Sequence, residues 1–172
     1  CGDLGGRCRA LCFESAYLPR NPRIRAEYLS HEANRFARGR YWSHDGIPRP
    51  TIIAIHGFAG DPYWLNQWLF ALPWFYSIGC DVLLVTLPFH GARRARGSVL
   101  SGQGFFAGGI SRVNEAFGQA VMDVRTFVDW LEHERGVARI GVTGISLGGY
   151  TAALLAAIDD RLRFSIPNVP LV

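Results

Sequence analysis

The stretch Arg139-Ile140-Gly141-Val142-Thr143-Gly144-Ile145-Ser146-Leu147-Gly148-Gly149-Tyr150 limits what this chain can fold into more than any other. Residues 138–142 form a short apolar run rich in β-branched side chains, and Leu147 to Ile158 continues as an Ala/Leu-rich helical pattern. Between them, Gly-x-Ser-x-Gly at 144–148 requires a buried strand to turn sharply into a helix. A serine on so tight a corner takes strained backbone angles that its surroundings must enforce. Side chains at Gly144 and Gly148 would crowd the corner, and Gly149 lets the helix lie close to the strand. The expected result is a Ser146 hydroxyl lifted clear of the sheet, above a helix N-terminus that favours developing negative charge.

One domain is the expectation, because 172 residues suffice for a sizeable core and are too few for two comfortable ones. With 49% apolar and 19% charged residues, the composition is that of a folded chain. All 18 basic residues are arginines and they are scattered, so the net charge of +4 is not read as a nucleic-acid footprint. No apolar run approaches the ~18 residues of a membrane span. Cys1, Cys8 and Cys12 crowd the N-terminus and Cys80 stands alone. They form no C-x-x-C pair and no histidines accompany them at ligand spacing, so neither a metal nor a cofactor is expected. Four cysteines do not make a disulfide framework, and a reducing, cytoplasmic setting is the default reading. The chain begins with Cys1 instead of Met, which reads as a piece of a longer protein, with a processed lipoprotein as the alternative.

In chain order, residues 1–12 are rich in glycine and arginine and read as poorly ordered; residues 1–32 as a whole form a partly irregular N-terminal segment. Phe13 to Leu18 reads as a short strand, Arg23 to Trp42 is ambiguous, and strands are favoured over Asn34–Trp42. Thr51 to Ile55 is apolar on both faces, as central parallel strands are, and runs into His56-Gly57-Phe58-Ala59-Gly60. Asp61-Pro62 suits a helix start. Trp64, Trp68, Ala71 and Phe75 follow at helical spacing, with a break at Pro73. The aromatics between Phe58 and Tyr76 are expected to pack this helix on the sheet; the alternative is that Phe58 and one or two others also wall an apolar acyl pocket. Val82 to Leu87 is the next buried strand, leading into Pro88-Phe89-His90-Gly91. Ala92 to Ser111 reads as a long loop, functional or mobile, with Arg93, Arg94 and Arg96 on a solvated face or, alternatively, meeting an anionic substrate. A helix returns with Val113, Phe117, Val121, Val124, Val128 and Leu131 and ends near Gly136. Arg161 to Ile166 is a last strand, closed by Pro167.

Strands alternating with helices specify a mostly parallel twisted sheet with helices on both faces. Loops leaving the carboxyl ends of its strands share one rim, where ligands bind. Three strands bring His56-Gly57-Phe58, His90-Gly91 and Ser146 to that rim. Acyl transfer needs a nucleophile, a base, a group orienting the base, and N–H donors for the oxyanion. Ser146 is the nucleophile candidate. The backbone N–H groups of Leu147 and Phe58 are the oxyanion candidates.

The succession His56-Gly57-Phe58-Ala59-Gly60, Pro88-Phe89-His90-Gly91 and Gly144-Ile145-Ser146-Leu147-Gly148-Gly149, each after a strand and before a helix, resembles the alpha/beta-hydrolase superfamily. The resemblance covers roughly Ala33 to Val172, read as an incomplete domain (33–172) that stops after about the sixth strand. The elbow is similar to those of esterases, dienelactone-hydrolase-like and acetyl-xylan-esterase-like members, and of several uncharacterised abhydrolase proteins. The resemblance implies a small-molecule acyl ester as substrate, with His56 positioning the oxyanion loop and His90 either structural or touching substrate. In the family the acid and histidine of the triad follow the serine. Here all five histidines precede Ser146, so both are expected beyond residue 172. Asp159 and Asp160 fall at the wrong end of the sheet and read as turn and capping residues. A serine esterase and a non-catalytic binding protein of the same fold both remain open, and oligomeric state is not legible.

Overall fold

The computed structural model describes residues 4, 6–60 and 63–171. Among them six strands form one sheet: β1 (Arg7–Glu14), β2 (Phe36–Ser43), β3 (Thr51–Ile55), β4 (Asp81–Thr86), β5 (Ile140–Ile145) and β6 (Leu162–Asn168), in the order β1-β2-β4-β3-β5-β6. β2 runs antiparallel to β1 and β4, while β4, β3, β5 and β6 are mutually parallel. Helices α1 (Pro22–Leu29), α2 (Tyr63–Leu69), α3 (Leu72–Ser77), α4 (Gln103–Phe106), α5 (Gly109–His133) and α6 (Leu147–Ile158) complete the fold.

The period-2 alternation of the central strands divides the core in two. Ile53, Ile55, Leu83, Val85 and Val142 face α5 and α6 through Val124, Phe127, Val128, Leu147 and Leu155. Ala54, Val82, Leu84 and Trp42 face the opposite layer, where Phe70, Leu72 and Tyr76 of the α2–α3 region meet them. Strands buried on both sides cannot show polar alternation, which is why 51–55 and 82–87 are continuous apolar runs.

Several expectations change. Arg7 to Cys12 is not irregular: β1 pairs with β2 along its whole length. Most of its side chains are exposed or half-buried, so backbone pairing holds it and no hydrophobic signature marks it. Pro22–Leu29 is a helix, capped by the Asn21 side chain and with proline in its first turn. The break expected at Pro73 comes earlier, at Ala71 (φ 48°), and Pro73 sits in the first turn of α3, where its missing N–H is harmless. The helix start at Asp61-Pro62 lies outside the described residues. Trp64, Trp68 and Trp74 do not pack on the sheet; they are 71%, 77% and 57% exposed. Within the expected long loop, Gly91–Arg93 is a 3-10 turn, 103–106 is helical, and α5 begins at Gly109. Pro167 does not close β6, which continues to Asn168; at an outer strand a residue without an N–H breaks no ladder bond on the open side. Cys8 is disulfide-bonded, whereas Cys12 and Cys80 are free thiols. Among the described residues no helix is long and apolar enough to cross a membrane.

Asp159 and Asp160 follow α6, whose twelve residues carry the chain about 18 Å from Ser146. The Asp159 carboxylate is buried beneath Arg161 (Nη2–Oδ2 2.7 Å, Nε–Oδ1 2.8 Å) and Arg125 (3.1 Å). Hydrogen bonds from Arg161 are the main reason its pKa falls from the ordinary 3.8 to about 2, and Arg125 adds to them against the cost of burial. A depressed folded-state pKa stabilises above the unfolded value and is lost as pH falls. Asp159→Asn should therefore cost about 2 kcal/mol near neutral pH, the free energy equivalent to lowering a pKa from 3.8 to about 2. In urea titrations the gap between wild type and variant should close between pH 3.8 and about 2. A gap independent of pH in that window would show that the carboxylate's charge is not what stabilises.

Candidate active site

β3, β4 and β5 end level with one another, because Ile55 is paired with both Val85 and Gly144. The segments that follow them therefore meet at one rim. Ser146 lies between β5 and α6 with φ 53° and ψ −113°, a conformation that L-residues avoid. Neighbouring contacts enforce it. The Ser146 N–H donates to the Asn168 carbonyl of β6 (2.9 Å), and its own carbonyl accepts the Tyr150 N–H in the first turn of α6 (2.9 Å). A Cβ on Gly144 would overlap the Gly148 carbonyl, one on Gly148 would overlap the Ile55 carbonyl, and one on Gly149 would press on the Asn168 carbonyl. The elbow is thus wedged between β3 and β6, with no room for a side chain at any of the three glycines. Leu147, the first residue of α6, is fully buried and directs the helix N-terminus toward the rim.

The loop after β3 lies against this corner. A Cβ on Gly57 would be 3.6 Å from Ser146 Cβ and 3.2 Å from the Ile145 carbonyl. The loop is tied down by the Gly60 N–H on the Gly57 carbonyl (3.1 Å) and by Asn66 Nδ2 on the Gly60 carbonyl (2.5 Å). His56 is 3% exposed, and both of its nitrogens are engaged. Leu87 N–H donates to Nε2 (3.1 Å), so Nδ1 carries the proton and donates to the Gly57 carbonyl (2.7 Å). A neutral imidazole locked in this tautomer couples the β3 loop to the end of β4 and is not placed to act as a base.

His90 is fully buried and presents no surface at the rim. Its Nδ1 bonds the Pro88 carbonyl (2.8 Å), and its ring packs edge-on against His56, Phe58 and Phe105. A side chain on Gly102 would collide with the imidazole, so the chain crosses directly over it. Among the described residues, none hydrogen-bonds the Ser146 hydroxyl. His31 pairs with Glu27, His44 with Asp81 at the amino end of β4, and His133 with the Asp129 carbonyl. No cluster of three or more His, Cys, Asp or Glu that could hold a metal ion occurs among the described residues.

Phe58 is 44% exposed, and its ring meets Phe106 of α4 (5.5 Å between centroids), not the tryptophans of α2 and α3. Phe106 touches Phe105, Phe105 touches Phe117, and Phe117 touches Tyr150, all with centroids near 5 Å. A continuous chain of aromatic contacts, passing through the fully buried Phe105, therefore runs from the loop after β3 to the first turn of α6. Reading the sequence alone does not single out Phe105 and Phe106. Their segment has no long periodic pattern, and the adjacent Phe-Phe pair is its one available signal.

The family described as alpha/beta hydrolase domain containing 18 matches residues 29–171. The chain belongs to that family. As an alpha/beta hydrolase it is 29% identical, over 167 residues, to uncharacterized proteins from two strains of Mycobacterium tuberculosis (CDC 1551 / Oshkosh and ATCC 25618 / H37Rv). That alignment covers 92% of this chain and 38% of each relative, so the hydrolase sequence spans well under half their length. Among solved structures it is similar to the Pyrococcus furiosus esterase Pf2001 (TM-score 0.64, 16% identity, 98% of this chain and 53% of that one). A cold-adapted esterase from an Arctic intertidal metagenomic library is also similar (TM-score 0.60, 20% identity, 92% and 58%). At such identities these likenesses establish the hydrolase fold, and the chemistry rests on the residues themselves.

Proposed function

We propose that this alpha/beta hydrolase cleaves acyl esters through Ser146. The observation that carries the reading is the strained Ser146 backbone at the β5–α6 corner, maintained by three glycines that leave no alternative packing. Strain of this kind is retained where a hydroxyl must stand clear of the sheet. In the proposed reaction, Ser146 Oγ adds to the ester carbonyl as its proton passes to a base. The resulting oxyanion is stabilised by the N–H groups of Leu147 and Phe58. Collapse expels the alcohol, which takes the proton back, and water then cleaves the acyl-serine by the same sequence. The partly exposed rings of Phe58 and Phe106 suit an apolar acyl chain. His56 has both nitrogens engaged and His90 is enclosed. The base and its orienting acid are therefore assigned to the portion of the relatives' length that these residues do not span.

The test is covalent. The full-length protein incubated with a serine-directed fluorophosphonate should be labelled on the peptide containing Ser146, as located by tandem mass spectrometry. Labelling elsewhere, with Ser146 unmodified, would end the assignment. Labelling of Ser146 with no turnover of any ester would favour the binding-protein reading.

A further inference from the structure

A cavity of about 590 Å³ opens at the same rim but beside β2, away from the serine. Arg38 of β2 is register-paired with Thr86, the last residue of β4, so it stands level with the carboxyl ends of the central strands. It is three strand positions from β5, about 14 Å from the elbow at ordinary strand spacing. Arg38, Arg94 and Arg96 line the cavity together with Glu32 and Ser30. Three guanidiniums against one carboxylate leave two positive charges with no matching anion. Among the described residues no carboxylate lies within ion-pair distance of Arg38, Arg94 or Arg96, and the Arg38 Nε is buried without a hydrogen-bond partner. An unbonded Nε is shared with Arg93, Arg112 and Arg135, and what sets Arg38, Arg94 and Arg96 apart is charge: Arg93, Arg112, Arg125 and Arg161 each hold a carboxylate.

The two walls are fixed to each other. Arg93, 1% exposed, donates to the Asn34 carbonyl (3.0 Å), the Thr86 carbonyl (2.9 Å) and Asp123 (2.7 Å). Asn34 in turn accepts the Phe89 N–H (3.0 Å) and donates to Gln119 (2.8 Å). The segment carrying Arg94 and Arg96 is thereby clamped to the segment carrying Ser30 and Glu32, with Arg38 between them. A scaffold this rigid, presenting unpaired guanidiniums to a concave space, is arranged to receive an oxyanion in fork geometry.

We propose that this cavity binds a phosphoryl group. A phosphate monoester carries about −1.5 to −2 charges at neutral pH, which matches the uncompensated charge, and its three oxygens suit three guanidiniums. A carboxylate would leave one guanidinium unmatched. The site does not depend on Ser146, and the group it takes is either carried by the ester substrate or borne by a separate ligand.

Inorganic phosphate titrated into the full-length protein, followed by calorimetry and phosphorus NMR, should bind with a dissociation constant on the order of 1 mM or below, weakening with added salt. The double variant Arg94→Gln/Arg96→Gln should bind at least ~10-fold more weakly, the loss expected for charge-assisted hydrogen bonds. Both side chains are exposed, so an unchanged thermal melt controls for folding. Ser146→Ala should bind phosphate as wild type does, which separates this site from the catalytic assignment. A kcat/KM preference for a phosphorylated acyl ester over its uncharged counterpart, lost in the double variant, would identify the substrate as the source. Phosphate binding without that preference would identify a separate phosphorylated ligand. Absence of phosphate binding, equal binding by the double variant, or acetate binding as tightly as phosphate would overturn the proposal.

Discussion

Ser146→Ala in the full-length protein should lower kcat for a small activated ester by ~10⁴-fold or more, with KM changed much less. Loss of a catalytic serine alone removes nearly all the acceleration of a triad, and what survives is the ~10³–10⁴ over water left to oxyanion stabilisation and binding. The split between kcat and KM follows from the geometry. The Ser146 hydroxyl makes no hydrogen bond to a described residue, and the partly exposed rings of Phe58 and Phe106 that would hold the acyl chain do not include it. Stopped-flow measurement with p-nitrophenyl esters of increasing chain length checks both parts. Turnover within ~10-fold of wild type would remove Ser146 from the mechanism. A large rise in KM with kcat intact would make it a binding residue.

The second large effect is on stability. Arg93→Met should destabilise the protein by about 3–5 kcal/mol, because it leaves the Asp123 carboxylate buried without its counter-charge. Asp123 is 3% exposed and retains one short bond, from the Ser15 hydroxyl (2.5 Å). The variant also releases the carbonyls of Thr86 and Asn34. The double change Arg93→Met/Asp123→Leu should recover a substantial part of the loss, since no buried charge is then left alone. Urea denaturation of the three variants decides. A single variant within ~1 kcal/mol of wild type would mean that water reaches the carboxylate and that the ion pair does not organise this region. Single and double variants of equal stability would place the cost in the lost carbonyl bonds.

That ion pair shows where sequence reading ends. The sequence places Arg93 on a solvated loop, since in one dimension it differs in nothing from Arg94 and Arg96. Its burial is decided by Asp123, thirty residues away on α5. The same helix carries Glu115, Gln119 and Asp123 at intervals of four, all buried, along a face that hydrophobic periodicity would assign to solvent. They face inward because residues 15–34 cover them. Ser15 bonds Asp123, Tyr17 and the N–H groups of Arg20 and Asn21 bond Glu115, and Tyr28 and Asn34 bond Gln119. Polar side chains inside are tolerable only when each finds partners, and here the partners come from about 80 to 110 residues away along the chain. β1 is hidden for a related reason: an outer strand with few buried side chains is held by ladder bonds that leave no mark on composition.

The elbow, the three central strands and the α/β class are legible in the sequence because their causes are local. A strand buried on both faces must be apolar throughout, and a corner that admits no Cβ must use glycine, whatever surrounds it. The tertiary structure alone decided which aromatics reach the rim. Phe106 stands beside Phe58 with Phe105 buried behind it, while Trp64, Trp68 and Trp74, nearer to it in sequence, point outward. It also decided that His56 is spent on Gly57 and Leu87, that His90 is enclosed, and that Arg93 is buried while Arg94 and Arg96 line a cavity. These outcomes depend on desolvation and on partners brought together from distant parts of the chain. Neither quantity is a property of a residue or of its immediate neighbours.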